Sequence, residues 1–304
     1  MATLKGQNLR LIINDGENWR CVAMSTSLTA TLTGNSDDTS TKDDTGMASR
    51  PEITSKSWNA SVETLNVLDA AAVLQQIKSG EPFDVMWDET EADVNKNQNP
   101  EGATFARQGK AFINDATFTF NNRENSAKNM QLMGSGPLEK VASAITTQAT
   151  GAIAYTKGQF VRLFLGSDNT AAPSKVIAAA QQLSLHVSLS LEEATTKDTE
   201  GDWQIQEPTG LSYDITTSAL VRSDETITSA VQAQGLSELE DIYEASLPVK
   251  FKIANTGGDN NRTATTTIVS GSVVITSLEL QGSNRQAAQY NVTLQGYGDY
   301  TTGA

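Results

Sequence analysis

The stretch QLSLHVSLSL, Gln182–Leu191, alternates strictly. Leu183, Leu185, Val187, Leu189 and Leu191 fall on one parity, and Gln182, Ser184, His186, Ser188 and Ser190 on the other. Successive side chains of an extended chain point to opposite faces, so this pattern reads as a β-strand with one apolar and one polar face. An equivalent stretch in the first half of the chain puts Leu28, Ala30 and Leu32 on the same parity.

Other blocks repeat in the same order. KGQNLRLII (Lys5–Ile13) matches KGQFVRLFL (Lys157–Leu165) at an offset of 152 residues. TSTKDDTG (Thr39–Gly46) matches ATTKDTEG (Ala194–Gly201), and SWNASVETL (Ser57–Leu65) matches SYDITTSAL (Ser212–Leu220), both at 155. GKAFI (Gly109–Ile113) meets GSVVI (Gly271–Ile275) at 162, and that offset also pairs Arg123 with Arg285, Asn129 with Asn291, Leu132 with Leu294, Gly134 with Gly296 and Gly136 with Gly298. Collinear blocks with slowly drifting offsets indicate a tandem duplication. Two domains are expected, at 1–138 and 155–304, with a small polar linker at 139–154.

Strand signals dominate each half. LRLII and VRLFL read as strands entering hairpins at NDGEN and GSDNT, and ATFTF and YNVTL read as strands near the end of each half. PFDVMW (Pro82–Trp87) and PVKFKI (Pro248–Ile253) read as strands that follow helices. One short helix is expected per half. Val67, Ala70, Ala71, Leu74 and Ile77 have helical spacing and stop at Ser79-Gly80, and Leu236, Leu239 and Ile242/Tyr243 repeat the pattern. Ser237 and Glu240 have capping-box spacing. The expected class is mainly β, sandwich- or barrel-forming, with one helix per repeat. Between strands lie long polar connections, about Thr33–Ser55 and Ser190–Gly210. Loops of that length in compact domains are usually functional or disordered.

Composition narrows the function. The chain of 304 residues has a net charge of −14. It divides as 13 Lys and Arg against 19 Asp and Glu over residues 1–140, and 9 against 17 over 141–304, so no charged tail exists. That balance argues against a basic nucleic-acid or anionic-membrane surface. A single cysteine, Cys21, allows no intrachain disulfide and reads as a small buried side chain. The N-terminus MATLKGQNLR has no apolar h-region, and no stretch approaches a membrane span. Synthesis in a cytoplasm without signal-peptide export is the expectation.

No residue cluster reads as a reaction centre. His186, the lone histidine, sits on the polar parity of its strand, where a surface position is expected rather than a catalytic base. SDDTSTKDD (Ser36–Asp44) lacks the alternating acids and terminal Glu of a calcium loop. GSGPLEK (Gly134–Lys140) lacks the Lys-Ser/Thr of a phosphate cradle and reads as a turn. Trp58, Trp87, Trp203 and Tyr213 read as core or interface anchors. No enzyme, cofactor or metal site is expected.

The Lys-Gly-Gln strand, the Thr-Lys-Asp loop, the SWNAS/SYDIT strand, the short helix and the closing LMGSGPL/LQGYGDY strand together resemble the major tail tube protein of long-tailed bacteriophages. The resemblance covers nearly the whole of each half. It implies small β-sandwich domains that close in sixes into a ring with a continuous inner β-barrel, and rings that stack into a tube. A duplicated chain then implies three chains per pseudo-hexameric ring. Implied partners are further copies of the chain, the tape-measure protein and the tail-tip and terminator proteins, with DNA passing through without specific binding. Implied location is the virion, after synthesis in the host bacterial cytoplasm. Rings need axial connectors, and the long connections would supply them through Asp37, Asp38, Thr41, Lys42, Asp43, Asp44 and Gly46 in the first half. Glu192, Glu193, Thr196, Lys197, Asp198, Glu200 and Gly201 would serve in the second. These arms are expected to be mobile in the free subunit. Rival readings are another tail β-sandwich protein (terminator, decoration or contractile-system tube) and a tandem ligand-binding sandwich.

Overall fold

The computed structural model describes residues 6, 9–14, 19–44, 48–65, 67, 69–89, 106–141, 156–199, 201–221, 233–258 and 263–303. The first half contains β1 (Leu9–Asn14), β2 (Trp19–Cys21), β3 (Ser25–Asp38), β4 (Pro51–Thr64), α1 (Ala70–Ser79), β5 (Phe83–Glu89), β6 (Arg107–Asn121) and β7 (Ala127–Lys140). The second contains β8 (Val161–Leu165), β9 (Lys175–Ile177), β10 (Ala180–Glu193), β11 (Gln206–Leu220), β12 (Ala233–Gln234), α2 (Leu236–Ala245), β13 (Val249–Asn255), β14 (Thr266–Gln281), β15 (Gln289–Gly296) and β16 (Thr301–Thr302). The fold is mainly β with one short α-helix in each half among the described residues.

Each half is the same sheet. The first runs β2-β1-β5-β6-β7-β4-β3 and the second β9-β8-β13-β14-β15-β11-β10. The registers coincide residue by residue: Ala30 opposes Ala60 and Leu185 opposes Ile215, while Ile113 opposes Leu132 and Ile275 opposes Leu294. Even the irregularities coincide, at Ser25/Ser27 and Ala180/Gln182, and at Asn35/Ser36 and Ser190/Leu191. Left-handed backbone recurs in pairs too, at Met24 (φ 55°) and Ala179 (φ 53°), and at Arg123 (φ 65°) and Arg285 (φ 64°). A bulge re-aims a strand and a positive φ fixes a turn, so their recurrence means that the two halves share backbone geometry as well as strand order.

The two sheets join because β10 pairs on one edge with β11 and on the other with β6, Gln182 opposite Asn121 through Ser188 opposite Asp115. The result is one 16-stranded sheet with a shared apolar core. The alternation of Gln182–Leu191 is the reason: Leu183, Leu185, Val187 and Leu189 are all buried in that core.

A matched aromatic braces each half. Trp58 lies over Gly134, where an added Cβ would come within 2.1 Å of its ring, and Tyr213 lies over Gly296 at 2.5 Å. Trp58 Nε1 donates to Gly136 O (3.2 Å), and Tyr213 OH donates to Ser272 O (2.7 Å). The aromatics fill space that any larger residue at those glycines would occupy. Trp87 is buried as well, and Trp203 packs partly buried against the core.

Several expectations are corrected. The helix expected from Val67 begins at Ala70, after Asp69. Gly80 ends it in the left-handed conformation, as a residue without a Cβ allows. In α2 the helix begins two residues earlier than a cap at Ser237 would set it, with Gly235 as its N-cap. Glu238, not Glu240, reaches back, its Oε2 accepting from Gly235 N at 2.5 Å. Gly134–Lys140 is not a turn but the end of β7, which runs past residue 138 to Lys140. Cys21 is half-buried. The GSDNT turn does form: Asp168 Oδ1 accepts from Thr170 N, Thr170 Oγ1 and Ala171 N (2.6, 2.6 and 2.8 Å), which hold its pKa down at about 2. The NDGEN turn and most of the linker lie outside the described residues.

Candidate assembly surfaces

The two long connections are not irregular loops. Asp37 opposes Glu52 and Asp38 opposes Pro51, and Glu192 opposes Glu207 and Glu193 opposes Gln206, so each is a long β-hairpin. The described tip residues, 39–44, 48–50, 194–199 and 201–205, lie outside the strands. Sequence alone hid this because both faces of the hairpins are polar, which removes the period-2 signal.

Within the first tip, Asp38 accepts from Ser40 Oγ, Ser40 N (2.9 Å) and Arg50 N (3.1 Å), which lowers its pKa. Asp44 accepts from Thr41 N and pairs with Arg50 at 2.6 Å. These acids hold the tip together, while Asp37, Lys42 and Asp43 stand exposed. In the second tip Thr196 N bonds Thr199 Oγ1 (3.0 Å), Gln204 Nε2 bonds Glu193 Oε2 (3.1 Å), and Glu192, Lys197, Asp198 and Gly201 are exposed. Gly46 and Glu200 lie outside the described residues.

The second arm is anchored sideways on the first half. Lys56 N donates to Asp202 O (2.6 Å), Gln204 N donates to Lys56 O (2.9 Å), and Lys56 Nζ pairs with Asp202 at 2.8 Å. Gly136 N donates to Gln204 O at 2.8 Å. Only the part beyond this anchor is left to reach outward.

The β10–β6 seam carries a polar lock on its other face. His186 Nε2 bonds Asp115 Oδ2 (2.7 Å) on β6, and Nδ1 bonds Asp214 Oδ1 (2.8 Å) on β11. Partial burial pulls the imidazole pKa down, but the two carboxylate hydrogen bonds and their charges outweigh it, and the pKa lies above its ordinary value. The polar parity of His186 was legible, but its partners, 71 and 28 residues away, had no local signal.

Helix α1 closes the seam from above. Leu74 and Ile77 are buried, Tyr300 OH donates to Leu74 O (2.7 Å), and Lys78 Nζ donates to Tyr300 O (2.6 Å). At the start of α1 a fully buried Lys128 pairs with Asp69 at 2.7 Å. Burial lowers the Lys128 pKa, opposed by the Asp69 charge. Tyr290 takes the corresponding place in the second half, buried, its hydroxyl donating to Ala178 O (3.3 Å). No group of three or more His, Cys, Asp or Glu residues is placed to hold a metal ion among the described residues, and no described helix is long and apolar enough to cross a membrane.

The geometry defines a duplicated β protein whose halves dock edge to edge. Residues 158–302, most of the second half of the chain, match the family model described as phage tail tube protein. Among solved structures, the tail of an empty GTA particle aligns at 17% identity, covering 48% of this chain and 96% of that chain, with a TM-score of 0.35. The SPP1 tail tube aligns at 19% identity over 48% of this chain and 78% of that one, with a TM-score of 0.36. The virion of a native gene transfer agent aligns at 16%, over 49% and 99%, with a TM-score of 0.35. No curated protein matches.

Proposed function

We propose that the chain is the major tail tube subunit of a long-tailed phage. Its two domains, 1–138 and 155–304 joined by the 139–154 linker, act as two of six positions in a ring. Three chains make the ring, and stacked rings form a conduit for the tape-measure protein and later for DNA. One observation carries this reading: the chain already joins two copies of one sheet by strand pairing, and repetition of the same step is what a ring requires. An open edge exposes unpaired backbone groups, and closure removes them. Fusion makes one of every two lateral contacts intramolecular and raises its effective concentration.

The exposed arm tips at Lys42-Asp43 and Lys197-Asp198 serve as axial connectors, each offering both charge signs. The net charge of −14 keeps the duplex from sticking, since phosphate binding needs cations. The subunit is carried in the virion after synthesis in the host bacterial cytoplasm, contacts tail-tip and terminator proteins at the tube ends, and performs no catalysis. The test is electron microscopy of purified protein with mass per length. Tubes with three 32.4 kDa chains per axial repeat support the reading, whereas six chains per repeat or permanent monomers overturn it.

A further inference from the structure

We propose that the open edge of β3 in one copy of this chain pairs antiparallel with the far part of β14 in the next copy, with Thr31 opposite Glu279. The inference rests on the ring reading above and gives its lateral contact a register.

The argument comes from the chain's own seam. β10 is the counterpart of β3 at an offset of 155, and β6 is the counterpart of β14 at 162, as their coincident registers establish. Among the described strands β3 pairs with β4 alone, so the edge that β10 gives to β6 is open on β3. Residues 107–111 of β6 pair with β5 and residues 115–121 with β10. On β14, residues 266–273 pair with β13, and no described strand takes the place of β10 beyond them. Carrying the β10–β6 pairs across by the two offsets gives Leu28 opposite Gly282, Ala30 opposite Leu280, Thr31 opposite Glu279 and Leu32 opposite Leu278.

Burial supports the same pairing. Val187 and Phe118 are each 1% exposed in the closed seam, while their counterparts Leu32 and Leu280 are 56% and 60% exposed. Ile77 of α1 is 1% exposed under the second half, and its counterpart on α2, Tyr243, is 47% exposed. Apolar side chains left open at the places where the other half buries them are the unpaired side of a repeated contact. A head-to-tail contact of this kind is heterologous, so it closes into a ring or continues as a helix. The occupant is a second copy of this chain, because only it carries both complementary edges.

Cysteine pairs on a Cys21→Ser background test the register in assembled tubes. Directly opposed Cα atoms lie about 4.5–5.5 Å apart, within disulfide reach, whereas diagonal neighbours at about 7–8 Å are not. Thr31→Cys with Glu279→Cys, or Leu32→Cys with Leu278→Cys, should give chain-to-chain ladders on oxidation, and Thr31→Cys with Gln281→Cys should not. Ladders from the shifted pair, or none from the matched pairs in normal tubes, overturn the register and leave the ring reading standing. Absence of tubes from the unaltered chain fails the ring reading instead. Leu280→Arg gives an independent check. It should leave the free chain folded, with unchanged near-UV circular dichroism, and raise the concentration needed for tube growth at least 100-fold. Normal growth would overturn the proposal.

Discussion

The chain has one seam that is closed and two half-seams that are open. At the closed seam β10 lies against β6, the leucines of the Gln182–Leu191 stretch are buried, and a histidine sits between two aspartates. At the open edges the same backbone presents Leu32, Leu280 and Tyr243 to solvent, and the position matching His186 is Thr31. On the proposal above, one geometry serves under two demands: the internal contact belongs to the fold and is kept by stability, whereas the external one forms on assembly.

That difference is open to mutation, beginning with the largest effect. Phe118→Ala should cost the free chain about 3–5 kcal/mol in denaturant unfolding, because it empties a filled core site. Leu280→Ala at the matching position should cost less than about 0.5 kcal/mol there and act on tube growth instead. Equal destabilisation by both would erase the distinction between the seams.

Gly134→Ala and Gly296→Ala should each cost about 1–3 kcal/mol, since the new methyl intrudes on Trp58 or Tyr213. Similar losses in thermal melts would show that the two halves keep one packing solution; a silent substitution in either half would break the equivalence. At Lys128 the halves differ, and Lys128→Met should be neutral or stabilising within about 1 kcal/mol, because an apolar side chain removes the cost of burying the ammonium while Asp69, 44% exposed, stays solvated. A loss of several kcal/mol on chemical unfolding would give that pair a role that Tyr290 does not reproduce.

The smallest effect is the pH response of the closed seam. The His186 pKa is raised in the folded chain, so its stabilisation is complete below the unfolded value near 6.5 and is lost as pH rises through the folded value. With its side chain 36% exposed, the contribution should stay below about 1 kcal/mol. As the only histidine, it gives one imidazole signal in an NMR titration. A midpoint above 6.5 that falls in Asp115→Asn fits the lock, and a midpoint at or below 6.5 contradicts it.

What could be read from sequence followed from locality. Strict alternation identified β10, helical spacing with Gly80 ended α1 correctly, and the drifting offsets revealed the repeat. The hairpin arms escaped because exposure of both faces leaves no apolar period. The β10–β6 pairing and the His186 partners escaped because an edge strand can choose among many distant edges, and nothing near Asp115 marks the choice. Only the tertiary sheet brings them together.

The central claim is that assembly repeats the internal seam between chains. A reconstruction of the tube without imposed symmetry tests it most directly. The account predicts three chains per ring, six similar strand junctions, and β3 paired with the neighbour's β14 at Thr31 and Glu279. A ring in which these two edges lie apart, or in which each chain occupies one position of six, would contradict it.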